Sequence, residues 1–180
     1  MKRIIMMLVA VFFCISSFAQ EFEFSKVVQA KGTPSELFSK AKDFVSQTYN
    51  SAKNVIQNED DKANILLVKA RHTTEYAVGM GLTCVYTYEY SFKIQCREGR
   101  CKIDVFDISC IEANQEGLGT VNEIPKIQPF FGEETEQKTK FMGRGLSMKK
   151  AAQMMKDLQE DFNALISACE NRLNEQEEEW

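Results

Sequence analysis

Apolar and mostly polar side chains alternate without a break from Leu82 to Cys96. The apolar positions are Leu82, Cys84, Tyr86, Tyr88, Tyr90, Phe92, Ile94 and Cys96. Successive side chains of a strand point to opposite sides of a sheet, so this pattern predicts one long strand with a buried and a solvated face. The tyrosines are alternatively a stacking platform for sugars or bases, but their face also carries Leu82, Phe92 and Ile94, which favours the core.

A strand and a helix are predicted before this stretch. Phe22–Ala30 alternates and ends at Lys31-Gly32, and Thr33–Glu36 then forms a capping box with proline at the first helical position. The helix that follows carries one apolar stripe: Leu37, Phe38, Ala41, Phe44, Val45, Thr48 and Tyr49. We expect this stripe to cover the apolar face of the sheet.

The second strand is predicted over Asn64–His72, where Ile65–Val68 is continuously apolar and indicates an inner strand. Asn58–Lys62 is interpreted as a polar turn; a calcium loop would need a ligand spacing and a central glycine that this segment lacks. Gly79–Gly81 then connects the second strand to the central one, since no capped helix follows for a phosphate loop.

A third consecutive strand is predicted after a turn at Glu98-Gly99. Its apolar side chains change phase near Val105-Phe106, which indicates a bulge or a strand covered on both sides. The segment 112–146 is polar and contains Gly117, Gly119, Pro125, Pro129 and Gly132, so we interpret it as a long excursion. Its Phe130-Phe131 and Phe141-Met142 pairs either anchor it against the domain or lie exposed.

A final helix is predicted from the N-cap Ser147 to Leu173, with a helical apolar stripe throughout. The elements together predict an α+β fold in the order β-α-β-β-β-α, a four-stranded antiparallel sheet with both helices on its apolar face. A single domain at residues 20–173 would be followed by an acidic tail at 174–180.

Residues 1–19 are typical of a secretory signal peptide. Lys2-Arg3 precede an apolar run from Ile4 to Ile15, and small residues end at Ala19, so cleavage is expected before Gln20. A membrane anchor is the alternative, but the run is short for a bilayer core that needs roughly 20 residues. A lipoprotein is less favoured because Phe13 precedes Cys14. We expect an exported protein, periplasmic or at the cell surface, with no transmembrane segment after cleavage.

Three stretches resemble a known family: the helix segment Pro34–Phe44, the segment Ser51–Gln57 and the segment Glu59–Ala63. They are similar to a domain of unknown function with a TBP-like fold found in exported Bacteroidetes proteins, over about Phe22 to Ile111. Leu67–Ala70 departs from the glycine-rich strand of many relatives. The resemblance implies a curved antiparallel sheet with helices on one side, and it supplies no activity and no site residues.

Five of the six cysteines follow the signal segment, which forbids complete pairing. Cys96 and Cys101 would face each other if Glu98-Gly99 is a two-residue turn, close enough for a structural disulfide in an oxidising compartment. The sequence leaves open whether that bond forms. Spacing of the C-x-x-C type is absent, so a redox centre is not indicated.

Charge and motifs exclude several function classes. The formal net charge of −4 makes nucleic acid a poor partner, because phosphate neutralisation needs clustered lysine and arginine. No cofactor or metal motif is recognisable. The lone His72 is best interpreted as a structural residue near a strand end, with a Cys–His or carboxylate site as the alternative.

The sequence therefore favours a non-catalytic exported module that binds an unknown protein or small ligand. Its candidate binding face combines the polar side of the central strand with the excursion: Thr83, Thr87, Glu89, Ser91, Lys93, Phe130 and Phe131. One alternative is a hydrolase-like enzyme with a carboxylate or Cys–His site. Another is a structural envelope component that assembles through a sheet edge.

Overall fold

The computed structural model describes residues 22–131 and 146–175 of the 180-residue chain. Within these ranges the helices are α1 (Pro34–Thr48), α2 (Ala52–Val55) and α3 (Met148–Asn174). The strands are β1 (Phe24–Gln29), β2 (Ile56–Asp60), β3 (Ile65–Gly79), β4 (Leu82–Arg97), β5 (Arg100–Gly117) and β6 (Thr120–Glu123). The expectations for the signal segment, for Phe141-Met142 and for the tail beyond Glu175 lie outside the described residues.

The strands form one antiparallel sheet in the order β1-β5-β4-β3-β2, with β6 also paired to β5. Strand β4 is central, as its alternation predicts. The α+β class, the meander and the two long helices are confirmed.

The prediction of four strands is wrong for the described chain, because two short edge strands were not recognised. Strand β2 occupies most of the segment interpreted as a polar turn, and only residues 61–64 turn. Its exposed Asn58–Asp60 pairs with β3 through the backbone, and backbone pairing leaves no hydrophobic pattern in the sequence. Strand β6 was not predicted for the same reason, since its exposed residues pair with β5 through the backbone.

Strand β3 continues to Gly79, seven residues past the predicted end at His72. Its second half pairs with β4 throughout, although the side chains from Arg71 onward alternate between exposed and half-buried or buried. Gly79–Gly81 is the turn of this hairpin, as expected of a connection.

The predicted phase change in β5 is confirmed as a bulge. Pairing with β4 shifts register between Glu89 and Ser91, opposite Asp107, whose φ is 53°. The extra residue turns the strand so that Cys110 faces the core again, and a second register shift, between Thr87 and Tyr88, brings Ala113 to the same face.

Both helices cover the face that carries the three central tyrosines. Tyr86 and Tyr88 are fully buried, and the Phe162 ring of α3 meets Tyr90 edge-on with ring centroids 5.0 Å apart. The ring centroids of Phe44, on α1, and Phe92 lie 6.0 Å apart. Both predicted caps are present, since Thr33 and Glu36 form a capping box and Ser147 accepts from the Lys150 amide.

The excursion is partly structured, which corrects its interpretation as a polar loop from residue 112. Strand β5 runs to Gly117 and β6 follows after a tight turn. The chain then returns to the core, where Ile127 is buried and its carbonyl accepts a hydrogen bond of 2.8 Å from the Tyr88 hydroxyl. Residues 124–131 are therefore anchored to the helix side of the sheet.

Candidate functional site

The polar residues predicted for the candidate face do share one face of β4. Thr83, Thr87, Glu89, Ser91 and Lys93 alternate with fully or nearly buried side chains. Neither of the two long helices covers this side, which we call the open face. It is not uniformly accessible: Ser91 is only 9% exposed, and its hydroxyl donates to an Asp107 carboxylate oxygen at 3.4 Å.

Glu89 is neutralised by basic neighbours on β3. Lys69 Nζ lies 2.8 Å and Arg71 Nε 3.8 Å from its carboxylate oxygens. The hydrogen bond from Lys69 lowers the pKa of Glu89, with Arg71 contributing. The carboxylate of Glu89 is therefore fully compensated in the middle of the open face.

The end of the open face nearest the β4–β5 turn is different, because it is concave and basic. A cleft of about 210 Å³ is lined there by Val27, Gln95, Arg97, Arg100 and Lys102. We call it the basic cleft. Three of its five lining residues are cations, in a protein whose net charge is negative.

Two of those cations face each other without compensation. Arg97 pairs directly with Arg100 across the turn, and like charges in that relation destabilise a sheet. Lys102 Nζ contacts Asp104 at 2.9 Å, but no carboxylate of the described chain lies within ion-pair distance of either arginine. An anion bound between the two guanidinium groups would remove this repulsion.

Sequence reasoning missed the basic cleft although the signal was present. With Cys96 and Cys101 facing inward, strand alternation puts Arg97 and Arg100 on the opposite side, next to each other across a two-residue turn.

Phe130 and Phe131 do not join the open face, which corrects their grouping with the β4 residues. Phe130 is 8% exposed, and the Phe131 ring lies 4.5 Å from that of Phe22 on the helix side. They anchor the chain after β6, which is the alternative that the sequence left open.

His72 lies at the contact between β3 and α3. Its Nε2 is 2.9 Å from Asp161 Oδ2, and one helical turn away Asp157 accepts from the Tyr76 hydroxyl. The five described cysteines are buried, and none of them bonds to His72 within residues 22–131 and 146–175. These contacts fasten α3 to β3 and assemble no nucleophile beside the histidine.

The acidic segment near β2 makes ordinary turn contacts. Asp60 Oδ1 accepts from the amides of Lys62 and Ala63, while Lys42 lies 3.1 Å from Glu59 and 3.3 Å from Asp61. Among the described residues, no group of three or more histidine, cysteine, aspartate or glutamate side chains is arranged to hold a metal ion.

Cys96 and Cys101 are opposite each other, as predicted. Their sulfur atoms lie 2.7 Å apart, in contact but unbonded, and both side chains are buried. The contact with Cys101 and burial raise the pKa of the Cys96 thiol. The two arginines of the basic cleft flank this pair on the other face.

Residues 24–110, which span β1 to most of β5, match the model of the domain of unknown function DUF4468 with TBP-like fold. This part of the chain is a DUF4468 domain. A crystal structure of a DUF4468 family protein from Bacteroides ovatus ATCC 8483 superposes with a TM-score of 0.60 at 12% identity, covering 88% of this chain and 89% of that one. A TBP-like protein from Parabacteroides distasonis ATCC 8503 gives a TM-score of 0.48 at 13% identity, with coverages of 83% and 92%.

The family match and the superposition on the Bacteroides ovatus structure establish the DUF4468 fold and carry no statement about activity. No curated protein matches the chain. No helix of the described DUF4468 structure is long and apolar enough to cross a bilayer.

Proposed function

We propose that this DUF4468 protein is an exported, non-catalytic binding module whose basic cleft holds the anionic group of a small ligand. The facing pair Arg97 and Arg100 carries the proposal, because two uncompensated guanidinium groups at a concave surface form the pattern that binds phosphate, sulfate or carboxylate. Two cations unpaired within the described chain, with Lys102 already bonded to Asp104, suit one or two anionic groups. A nucleic-acid backbone needs a longer basic track.

The test uses pyrophosphate as probe and thermal unfolding as readout. Pyrophosphate is expected to raise the Tm of the wild-type protein, and the double variant Arg97→Gln with Arg100→Gln should lose the rise. Lys69→Gln is the matched control, since it removes a cation of the same face that is already paired with Glu89. An equal Tm rise in wild type and double variant would contradict the proposal.

The unliganded double variant provides a second readout. Removal of the repulsion between the two arginines should leave the variant as stable as wild type or stabilise it by about 0.2–1 kcal/mol at low salt. A marked loss of stability would show that the arginines serve the fold.

Export is supported by residues 1–19, whose charged, apolar and small-residue regions follow the order of a signal peptide. Expression of the full chain in a bacterial host and intact-mass measurement of the product test it. A mass that begins at Gln20 is expected; a product that retains residues 1–19 in the cytoplasmic fraction would contradict export.

In an oxidising compartment we further propose that Cys96 and Cys101 form a disulfide. The Cys96 amide donates to the Asn64 carbonyl at 3.0 Å, so the backbone of Cys96 is turned toward β3 and its pairing with Cys101 is of the non-hydrogen-bonded kind. Cα atoms in such pairs are about 4.5 Å apart, within the range of disulfides. Each thiol gives up a proton and an electron; a protein or small-molecule disulfide takes up the electrons and becomes two thiols.

A second candidate function is assembly of an envelope component through the edge of β3 between Val68 and Ala77, where no strand of the described residues pairs with it. Even-numbered residues of β3 direct their backbone groups toward β4, as the Asn64 carbonyl does, so odd-numbered residues point away. Strand β2 pairs only as far as Val68. Beyond it, the Ala77 carbonyl accepts from Lys150 Nζ at 2.7 Å, which confirms the outward direction.

This edge is self-complementary. If two copies pair antiparallel with Thr73 opposite Thr73, Arg71 of each copy faces Glu75 of the other, and the outward backbone groups of these residues match. Arg71→Glu or Glu75→Arg alone should abolish a dimer in sedimentation velocity, whereas mixing the two variants should restore it. A monomeric wild-type protein at high concentration would exclude this candidate.

A further inference from the structure

Two neighbouring turns at the end of the sheet opposite the basic cleft present large apolar side chains to solvent. Residues 79–81 join β3 to β4 and residues 117–119 join β5 to β6, and each turn has the sequence glycine, apolar residue, glycine. Met80 is 89% exposed and Leu118 is 79% exposed. Val121, three residues after Leu118, is 67% exposed.

The turns themselves do not require these residues. Met80 and Leu118 have φ of 54° and 52°, in the left-handed region that glycine, asparagine and aspartate adopt most readily. A hairpin turn would be better served by asparagine at either position. The apolar side chains therefore oppose local backbone preference and gain no packing in return.

The two turns are in contact, so their exposed apolar side chains lie at the same end of the molecule. A methyl group built on Gly117 would lie 2.3 Å from the Gly81 carbonyl oxygen and 2.9 Å from Leu82 Cδ2. Only glycine permits this approach, and it brings Met80 and Leu118 to the same end of the molecule. We call Met80, Leu118 and Val121 the apolar end.

We propose that the apolar end inserts into the interfacial layer of a lipid membrane. Three side chains on convex turns are far too few for a stable protein interface, which engages roughly 20–30 residues a side. Shallow insertion of a few apolar side chains into a bilayer needs no such area. Glu116 adjoins one turn and Lys150 Nζ donates to the Ala77 carbonyl near the other, so the charge nearby is mixed and does not select anionic lipid.

The test is sedimentation with extruded phosphatidylcholine vesicles, using the processed chain from Gln20 that the proposed export would produce. The double variant Met80→Asn with Leu118→Asn keeps residues that tolerate the left-handed backbone and should weaken vesicle binding by about a hundredfold or more. Gly119→Asn is the matched control: it places the same residue in the same turn at φ 75°, where no atom lies within 4 Å of an added Cβ, and removes no apolar side chain.

Addition of phosphatidylglycerol to the vesicles is expected not to strengthen binding, and added salt is expected not to weaken it. Circular dichroism of the double variant should match wild type. Failure of the wild-type protein to bind phosphatidylcholine vesicles, or equal binding by the double variant, would overturn the proposal. A dimer that depends on Met80 and Leu118 without vesicle binding would assign the apolar end to a second copy instead and would equally overturn it.

Discussion

Replacing Tyr88 by phenylalanine removes one oxygen atom from the centre of the core. The hydroxyl is fully buried and donates to the Ile127 carbonyl at 2.8 Å, which joins β4 to the segment that follows β6. The net value of a typical intact bond is about 1 kcal/mol, whereas a buried carbonyl left without its donor costs about 1–3 kcal/mol. We expect Tyr88→Phe to lower the free energy of unfolding by about 2 kcal/mol, or the Tm by about 4–8 °C.

Tyr86→Phe is the matched control, two residues away on the same face. Tyr86 is equally buried, but its hydroxyl donates to no acceptor of the described residues, and only the backbone amide of Leu146 lies near its oxygen. Its removal should change stability by less than about 0.5 kcal/mol or increase it. Differential scanning calorimetry of the two variants measures the difference, and hydrogen exchange of the Ile124 amide, which is bonded to the Ala113 carbonyl, reports on the anchored segment. Equal Tm values for both variants would refute the assignment of Tyr88 as the anchor.

Three further predictions concern turns, pH and redox state. Gly117→Ala should lower the free energy of unfolding by about 3 kcal/mol and Gly119→Ala by only about 1 kcal/mol. Both residues have a positive φ, but only a Cβ at Gly117 would also clash with its neighbours. Equal losses in urea unfolding of the two variants would contradict this. Burial raises the pKa of Tyr86 to about 12. Since the unfolded pKa is about 10, the contribution of the neutral phenol to stability is complete below about pH 10 and should be lost as the pH rises toward 12. Ionisation of the tyrosines, measured by absorbance, in protein that stays folded would contradict this. A reductant should lower the Tm of the exported wild-type protein by about 4–8 °C, because a disulfide that closes a short loop contributes roughly 2 kcal/mol. The Tm of the double variant Cys96→Ala with Cys101→Ala should not change. The same Tm shift in wild type and double variant would exclude the disulfide.

The core face of β4 was predictable because strand alternation and hydrophobic burial select the same positions. Alternation from Cys84 to Cys96 separates buried from solvated side chains, and every predicted core position in that range is buried. The helix starts at Thr33 and Ser147 were equally clear, since a capping side chain must be close in sequence to the amides it bonds.

The edges of the sheet were not predictable in the same way. Strand β2 and strand β6 are short and polar, and they exist because a neighbouring strand offers backbone groups to pair with. The same holds for the second half of β3, which β4 holds in place. Backbone hydrogen bonds do not depend on side-chain type, so the sequence carries little record of them.

The sequence alone determined which side chains are withdrawn from water: the tyrosine face of β4 and the apolar stripes of two helices. Only the tertiary structure decided which surface groups meet. Val27 of β1 completes a cleft with Arg97 and Arg100, Met80 and Leu118 form one apolar end, and Phe130 packs on the helix side instead of the open face. Burial follows from local periodicity, whereas a site depends on contacts between residues far apart in the chain, which periodicity does not encode.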